Sequence, residues 1–218
     1  MTALDSRFLQ YTNCFGHRFV SPGLVRYRLS TLPTGTGLAH AADADVFTIE
    51  VAAEPAGQAA KQHGVTVRLE GRRLVADPPK LRIHPHDVVI WTAEGAGTPP
   101  YSVLGQGERL AFDSRALTAG CLFSHPFGLP GAVRWTDANG SGLGGEIVVA
   151  SHEPNVDADH LQERLSSGTL VTVRGTEAQP GRIEIFVGQT VLWLFEDAPG
   201  VTVTDSRLLP AGSGAPSG

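Results

Sequence analysis

The chain has 218 residues, 41% of them hydrophobic, with 26 glycines, 15 prolines and a formal net charge of -5. This charge, without a basic cluster, argues against a nucleic-acid surface, which needs Lys and Arg side chains to neutralise phosphates. No apolar run approaches the roughly 20 residues needed to span a bilayer, and no secretory signal is visible, so we expect a soluble chain and favour the cytoplasm.

The first element along the chain belongs to an internal repeat. Residues 5–27 return as residues 113–135 with identity at 11 of 23 positions, and a third, partial copy stands at 204–212. The length together with a repeat spacing of 108 favours two domains. Each copy opens with Asp-Ser-Arg, in which Asp and Ser can cap a turn and Arg can pair locally. We interpret these residues as structural: Asp5, Arg7, Asp113, Arg115, Asp205 and Arg207.

Both full copies continue with the motif Phe-x-His-x-Phe-x-x-Pro-Gly. Phe123, His125 and Phe127 alternate, so they share one face of a strand, and the Pro-Gly pair supplies a turn. We therefore predict a hairpin whose returning strand carries Trp135. His17 and His125 occupy the same place in the two copies, and we interpret them as architectural side chains rather than ligands.

The middle of the chain defines the most complete module. Short β-rich runs alternate there with turn clusters, as glycine and proline usage also suggests. The predicted strands are 65–69, 80–83, 87–92, 101–104, 122–127, 132–135 and 146–149. About seven strands at this spacing predict an all-β sandwich or barrel over residues 62–151.

The two ends of the chain each hold half of such a module. Residues 1–53 contain only its second half, and residues 168–212 only its first half, with Trp193 in the place of Trp91. Neither half can bury its apolar face alone, so we hypothesise that the two combine into one split, circularly permuted domain. The halves can pair within one chain or between subunits of a head-to-tail homo-oligomer. A piece cut from a longer tandem array is the third alternative.

The remaining segments are connections and cysteines. Residues 152–167 have helical spacing and predict a linker with one short surface helix, and residues 213–218 should be a flexible tail. Cys14 and Cys121 lie at nearly matching places in separate domains, so we expect two reduced thiols and no disulfide between them.

The order of these elements resembles the cupredoxins, the plastocyanin-like blue-copper proteins. The likeness rests on Asp-Val-Val-Ile-Trp at 87–91, on the Phe-x-His-x-Phe-x-x-Pro-Gly motif, and on the final Gly-x-Ile-x-Val strand at 145–149. It covers the middle module and most of the flanking segments. The resemblance implies two Greek-key β-sandwiches, one of them split across the termini.

The resemblance also says where copper would bind. In the family, one His follows the Trp-bearing strand, and a Cys, a second His and often a Met lie between the last two strands, a set that suits copper. Here the Cys position falls on Asp137 in the middle module and on Leu29 in the split one, and the first His position falls on or beside Tyr101. The resemblance therefore implies loss of the type 1 copper centre. We expect no cofactor, with copper as the alternative.

Three further groups are candidate metal ligands. His84 and His86 are two apart in a turn, but a metal site usually needs three or four ligands, so we interpret the turn as solvated. His40 lies in an acidic loop with Asp43 and Asp45, which we interpret as a polar loop with a weak metal site as the alternative. Counted outward from the predicted hairpin turn, Cys121 should approach Asp137 and Tyr101. That places a remnant pocket or a packed sheet end at this position.

The sequence has no motif of a known catalytic machinery. Gly-x-Ser-x-Gly, His-Glu-x-x-His and a glycine-rich phosphate loop between strand and helix are all missing from it. We therefore expect a non-enzymatic assembly or binding subunit that associates with itself or with a protein partner. The alternative is a copper-handling or electron-transfer protein that uses an atypical set of His, Cys, Asp and Tyr ligands.

Overall fold

The computed structural model describes residues 3–31, 46–53, 59–108, 110–151 and 168–210. These residues form an all-β, sandwich-type structure whose only helical element within the described ranges is a short 3-10 helix, Ser206–Leu208. No helix among them is long and apolar enough to cross a bilayer. The chain divides into two compact units, a first unit, Arg7–Ala116, and a second unit, Leu117–Gly218 together with Met1–Ser6.

The first unit contains nine strands in its described part. In chain order they are β1 (Cys14–Arg18), β2 (Gly23–Thr31), β3 (Phe47–Val51), β4 (Gln62–Glu70), β5 (Arg73–Asp77), β6 (Lys80–Ile83), β7 (Val88–Ala93), β8 (Tyr101–Gln106) and β9 (Ala111–Asp113). Strands β1, β7, β4 and β5 lie side by side in one sheet, and β6, β3, β2, β8 and β9 form the other.

Alternating side chains hold the two sheets of this unit together. Val89 and Trp91 of β7 are buried, as are Phe47, Ile49 and Val51 of β3. Successive residues of a strand point to opposite faces, so these positions line the interior. The Trp91 ring lies edge-on to the ring of Tyr27 on the other sheet, with 5.4 Å between centroids. Such aromatic pairs add to the stability gained by burying apolar area.

The second unit repeats this arrangement. Its strands are β10 (Leu117–Thr118), β11 (Cys121–Pro126), β12 (Gly131–Asp137), β13 (Gly144–Ala150), β14 (Thr169–Arg174), β15 (Glu177–Gln179), β16 (Arg182–Phe186), β17 (Thr190–Asp197), β18 (Pro199–Val201) and β19 (Val203–Asp205). Strands β15, β14, β17 and β11 lie side by side, β16, β13, β12 and β19 form another sheet, and β10 pairs with β18. The rings of Trp193 and Trp135 lie edge-on to each other between the sheets, with 6.0 Å between their centroids.

Strand register makes the two units equivalent residue by residue. Phe15 pairs with Trp91 in the first unit, and Phe123 pairs with Trp193 in the second. The parallel pairs also match, because β3 with β6 and β4 with β7 correspond to β13 with β16 and β14 with β17. The all-β prediction is therefore confirmed, and both units share one topology.

The N-terminal segment completes the second unit rather than the first. Asp5 forms an antiparallel bridge with Thr204, and the backbone N–H of Ser6 donates to the Val203 carbonyl at 2.9 Å. In the first unit, Asp113 pairs with Leu104 and the N–H of Ser114 donates to Val103 at 3.0 Å. Residues 3–6 thus lie against β19 as residues 111–114 lie against β8.

This organisation corrects the predicted domains. Residues 1–53 were expected to pair with 168–212, but β1 pairs with β7 and β2 pairs with β8, so most of the N-terminal half-module completes the first half of the middle one. Only residues 3–6 pair with the C-terminal segment. The expected complete domain, 62–151, is divided between the two units at residue 116. A tandem repeat looks the same whichever half-module is taken as its start, so its spacing could not decide the frame.

The predicted hairpin is also corrected. Strands β11 and β12 are consecutive, yet β11 pairs with β17, and β12 pairs with β13 and β19. The Pro-Gly turn therefore carries the chain from one sheet to the other. Alternating burial on both strands is the same for a hairpin and for such a sheet-to-sheet connection, so the pattern could not distinguish them.

The predicted strands themselves are confirmed to within a few residues at their ends. Strand β5 was missed, because its charged first and last residues hide a short alternation around Leu74 and Ala76, both buried. The predicted helix at 152–167 and the predicted tail at 213–218 lie outside the described residues.

Candidate functional site

In the second unit, the carboxyl group of Asp137 accepts several hydrogen bonds at the place where the sequence predicted a possible site. Asp137 ends β12 and is 3% exposed. Its Oδ1 accepts backbone N–H groups from Thr202 at 2.8 Å and from Asn139 at 3.0 Å, and its Oδ2 accepts the N–H of Ser141 at 3.2 Å. The side chain therefore fixes the loop after β12 and ties it to the segment before β19.

The resemblance places the copper-binding cysteine at this position. An aspartate whose oxygens already accept three backbone N–H groups does not match the thiolate of a type 1 centre. In the first unit, strand register puts Leu29, a buried apolar residue, at the equivalent place opposite Val103. The two positions thus supply a structural carboxyl group and an aliphatic side chain.

The predicted grouping of Cys121, Asp137 and Tyr101 is not what the topology produces. Cys121 begins β11 and Asp137 ends β12, on different sheets of the second unit, whereas Tyr101 belongs to the first unit. Counting outward from the turn assumed a hairpin, which these strands do not form. The Cys121 thiol is buried and lies 3.9 Å from the Thr118 hydroxyl.

Tyr101 is placed in an apolar environment. The ring is fully buried, and its backbone pairs with Leu9. Burial raises the pKa of the Tyr101 hydroxyl far above its usual range, and the nearby Cys14 raises it further. The phenol therefore stays neutral at physiological pH. Neither Cys14 nor Cys121 takes part in a disulfide, as the sequence predicted.

His84 and His86 lie in the turn between β6 and β7. His86 has a φ of 76°, a left-handed conformation that favours glycine, and its equivalent in the second unit is Gly188, with φ 88°. The N–H groups of His86 and Gly188 donate to equivalent carbonyls, those of Phe19 and Phe127. Both imidazoles are exposed. The turn therefore requires a left-handed backbone at this position, which His86 adopts in the first unit and Gly188 in the second.

The sequence reading missed the residue that organises this turn, Asp87. Its buried side chain accepts the N–H of Lys61 at 2.8 Å and of His84 at 3.0 Å, and His63 Nε2 lies 2.8 Å from Oδ2. Burial alone would raise the pKa of Asp87, but these hydrogen bonds and the His63 ring outweigh it and lower the pKa to about 2. In the second unit Gln189 accepts the Phe186 N–H in the same way, at 2.7 Å. A polar residue before both Trp-bearing strands was the available signal.

His17 and His125 are buried on equivalent strands. Their rings lie edge-on to Phe19 and Phe127 at 5.0 and 4.9 Å, and His17 also stacks on Phe112. Burial lowers the pKa of both histidines to about 4, with Arg18 lowering that of His17 further. Both rings are therefore neutral at physiological pH and occupy the apolar interior.

The three Asp-Ser-Arg copies differ in the contacts that their Asp and Arg side chains make. Arg115 and Arg207 each form a two-pronged pair with the aspartate two residues earlier, Asp113 and Asp205, at 2.7 and 2.6 Å for the shortest contacts. The Arg207 side chain lowers the pKa of Asp205. Arg7 packs over the Phe8 ring at 5.3 Å, and Asp5 is buried against Thr204.

A cavity of about 530 Å³ opens on the second unit. It is lined by Arg134, Trp135, Thr136, Gly145, Glu146, Gly181 and Ser206. Arg134 and Arg182 both pair with Glu146, at 3.8 and 3.2 Å. The arginines therefore face a carboxylate already, which weakens the cavity as a site for an anionic ligand.

The described parts of the chain contain no group of three or more His, Cys, Asp or Glu side chains arranged to hold a metal ion. His40, Asp43 and Asp45 lie outside those parts. No family model, curated protein or solved structure matches the chain.

Proposed function

We propose that this chain is a non-enzymatic, cupredoxin-like subunit that acts by binding or assembly and lacks a blue-copper centre. The observation that carries the proposal is the use of Asp137. At the position where the resemblance expects a copper thiolate, its carboxyl group accepts three backbone N–H groups and joins two loops.

The equivalent positions of both units support this reading. Leu29 replaces Asp137 in the first unit, and strand register makes Tyr101 of the first unit the equivalent of Val201 in the second, since Leu9 pairs with Tyr101 as Leu117 pairs with Val201. The side chains of Leu29, Tyr101 and Val201 are buried, and those of Leu29 and Val201 carry no polar atom. A redox copper site needs soft sulfur and imidazole ligands held together, which these residues do not supply.

The association part of the proposal rests on the way the second unit is completed. Its last strand is flanked by residues 3–6, which arrive from the opposite end of the chain. A short segment held by a few hydrogen bonds at a sheet edge can be supplied by the same chain or by another copy.

Copper titration and particle size together test the proposal. The full chain and its Cys121→Ser variant are titrated with copper while absorption and bound metal are measured, and light scattering gives the mass at rising protein concentration. We expect neither stoichiometric copper nor a thiolate charge-transfer band, and a mass above that of the monomer. Stoichiometric copper with a band that Cys121→Ser abolishes would establish the copper-handling alternative. A monomeric mass at every protein concentration would contradict self-association.

A further inference from the structure

We propose that the edge of β19 is an acceptor site for an apolar-Asp-Ser segment, and that its occupant in an assembly is residues 3–6 of a second copy of this chain. The inference deepens the proposed assembly function and rests on it. It names the surface through which copies associate and the peptide that this surface recognises.

The contacts of the segment define the site. Ser6 N–H donates to the Val203 carbonyl, and Asp205 N–H donates to the Leu4 carbonyl, both at 2.9 Å. Val203 N–H returns a hydrogen bond to the Ser6 hydroxyl at 3.1 Å, and the Thr204 hydroxyl donates to Asp5 at 3.4 Å. Backbone pairing gives such a site affinity, and side-chain contacts give it selectivity.

The segment is buried as deeply as a core strand. Leu4 is 3% exposed, Asp5 is 4% exposed and Ser6 is fully buried. The site thus distinguishes an apolar side chain, a carboxylate and a small hydroxyl at three successive positions. A bulky apolar residue at the Ser6 position would leave the Val203 N–H buried without its acceptor.

The chain contains a second segment bound in the same way. Ser114 accepts the Val103 N–H through its hydroxyl at 3.0 Å and donates its own N–H to the Val103 carbonyl. Phe112 takes the place of Leu4 and packs its ring against Gly105, where a Cβ atom would come within 2.2 Å of it. The same pairing at both copies of the repeat indicates that the sequence of the segment specifies it.

The two segments differ in how they are tethered. Strand β9 follows β8 after only four residues, so the Asp113 segment cannot leave its edge for another molecule without opening the first unit. Ser6 and Val203, by contrast, are 197 positions apart. Release of residues 3–6 breaks the hydrogen bonds to β19 without opening a tight loop, and the same hydrogen bonds can form with the next copy. Reciprocal exchange closes a pair of chains, and head-to-tail exchange extends an open array.

Two other described edge strands, β6 and β16, are less suited to accepting a further strand. The outward side chains of β6 and β16 are charged, with Lys80 and Arg82 on one and Arg182 and Glu184 on the other. Charged side chains on an edge strand oppose pairing with another chain. The β19 edge instead presents Val203 and Thr204, which are buried beneath the segment.

A disulfide trap tests the exchange directly. Cysteines replace the bridge partners in an Asp5→Cys/Thr204→Cys variant whose native Cys14 and Cys121 are changed to Ser. Partners in an antiparallel bridge lie about 4.5–5.5 Å apart at Cα, which suits a disulfide. The reduced protein is equilibrated at several concentrations, oxidised, and resolved by non-reducing electrophoresis.

Exchange predicts covalent dimers or multimers at the expense of the internally linked monomer. By mass action, a tenfold rise in free monomer should raise the dimer-to-monomer ratio about tenfold. The matched control is Leu104→Cys/Asp113→Cys on the same serine background, which links the tethered copy of the pair and should give only monomer. Monomer alone from both variants at every concentration would overturn the inference.

A peptide experiment covers the case in which the cysteine variant does not fold. Wild-type chain and a Ser6→Pro variant, which lacks the N–H that binds Val203, are titrated with labelled peptide TALDSRF and with TALDPRF. We expect at least about tenfold tighter binding of TALDSRF by the variant, since the site of the wild type is occupied by its own segment. Equal binding of both peptides, or no binding, would contradict the inference. If the wild type still forms multimers, assembly occurs through another surface and the proposed function survives.

Discussion

At the scale of single residues, His86 shows a side chain held in a conformation that suits glycine. A φ of 76° costs an L-residue roughly 1–2 kcal/mol in the folded chain, a cost that glycine does not have. Glycine is also more flexible in the unfolded chain, and this loss of entropy on folding offsets part of its advantage. His86→Gly should therefore raise the free energy of unfolding by about 0.5–1 kcal/mol in urea denaturation. The matched change, Gly188→Ala at the equivalent position, should lower it by about 1 kcal/mol. A loss of stability in His86→Gly would show that the imidazole makes a stabilising contact.

The buried histidines give a second prediction, on pH dependence. The pKa of His17 and of His125 is about 4 in the folded chain, below the usual value of 6.5, so the unfolded chain binds more protons between these values. Stability is fully present above pH 6.5 and falls as the pH drops to about 4. Each histidine contributes on the order of 3 kcal/mol to this loss.

Chemical denaturation at a series of pH values measures the effect. The control is a His17→Gln/His125→Gln variant, whose stability should change much less over the same window. Asp87 acts in a lower window, because its pKa of about 2 lies below that of the unfolded chain, so its contribution is lost as the pH falls through the range from about 4 to 2. Equal slopes for wild type and variant between pH 6.5 and 4 would remove the histidines as the cause.

At the scale of elements, the serine of the Asp-Ser-Arg segments is the residue that fixes a strand. Ser114 and Ser6 are fully buried, and each hydroxyl accepts the N–H of a valine in the neighbouring strand. Ser114→Ala and Ser6→Ala should each cost about 1–3 kcal/mol, since each leaves a buried N–H without an acceptor.

Ser206→Ala is the control for these two variants. Ser206 belongs to the third sequence copy but is exposed, so its substitution should change the unfolding free energy by less than about 0.5 kcal/mol. Thermal denaturation compares the three proteins. Equal destabilisation by all three substitutions would mean that the sequence copies, and not the bound strands, are equivalent.

Strands were the part of the structure that the sequence specified best. Alternating apolar residues with turn clusters between them located most strands, because one face of each strand must be buried. The pairing of strands was not recoverable from the same pattern. The segment around His125 alternates whether it turns back within its sheet or crosses to the other one. The carboxyl network of Asp137 was missed because its partners are backbone N–H groups, which leave no mark in the side-chain pattern.

At the scale of the whole molecule, the repeat fixed the number of units but not their limits. A period of about 108 residues is compatible with any starting point, and choosing the most complete stretch placed the boundary half a module away from its position. The identity of residues 3–7 and 111–115 at four of five positions was the better signal. It marks the segment that ends one unit and leads into the next.

The chain lengths around this segment agree in the two units. In the first unit four residues, 107–110, separate β8 from β9. In the second, Asp205 is the equivalent of Gly105, so residues 207–210 would be the equivalents of 107–110 if Pro210 were joined to Ala3. That joined chain would give both units the same connectivity.

A circular permutant with this joined chain gives the most direct test that residues 3–6 complete the second unit, and its cooperative unfolding is the measurement. The permutant joins Pro210 to Ala3 and places its new ends between β13 and β14. If residues 3–6 complete the second unit, it will unfold in one cooperative transition within about 2 kcal/mol of wild type, and light scattering will find no exchange of that segment. A permutant that fails to fold, while a control opened at the same place and joined by a long flexible linker folds, would contradict the account.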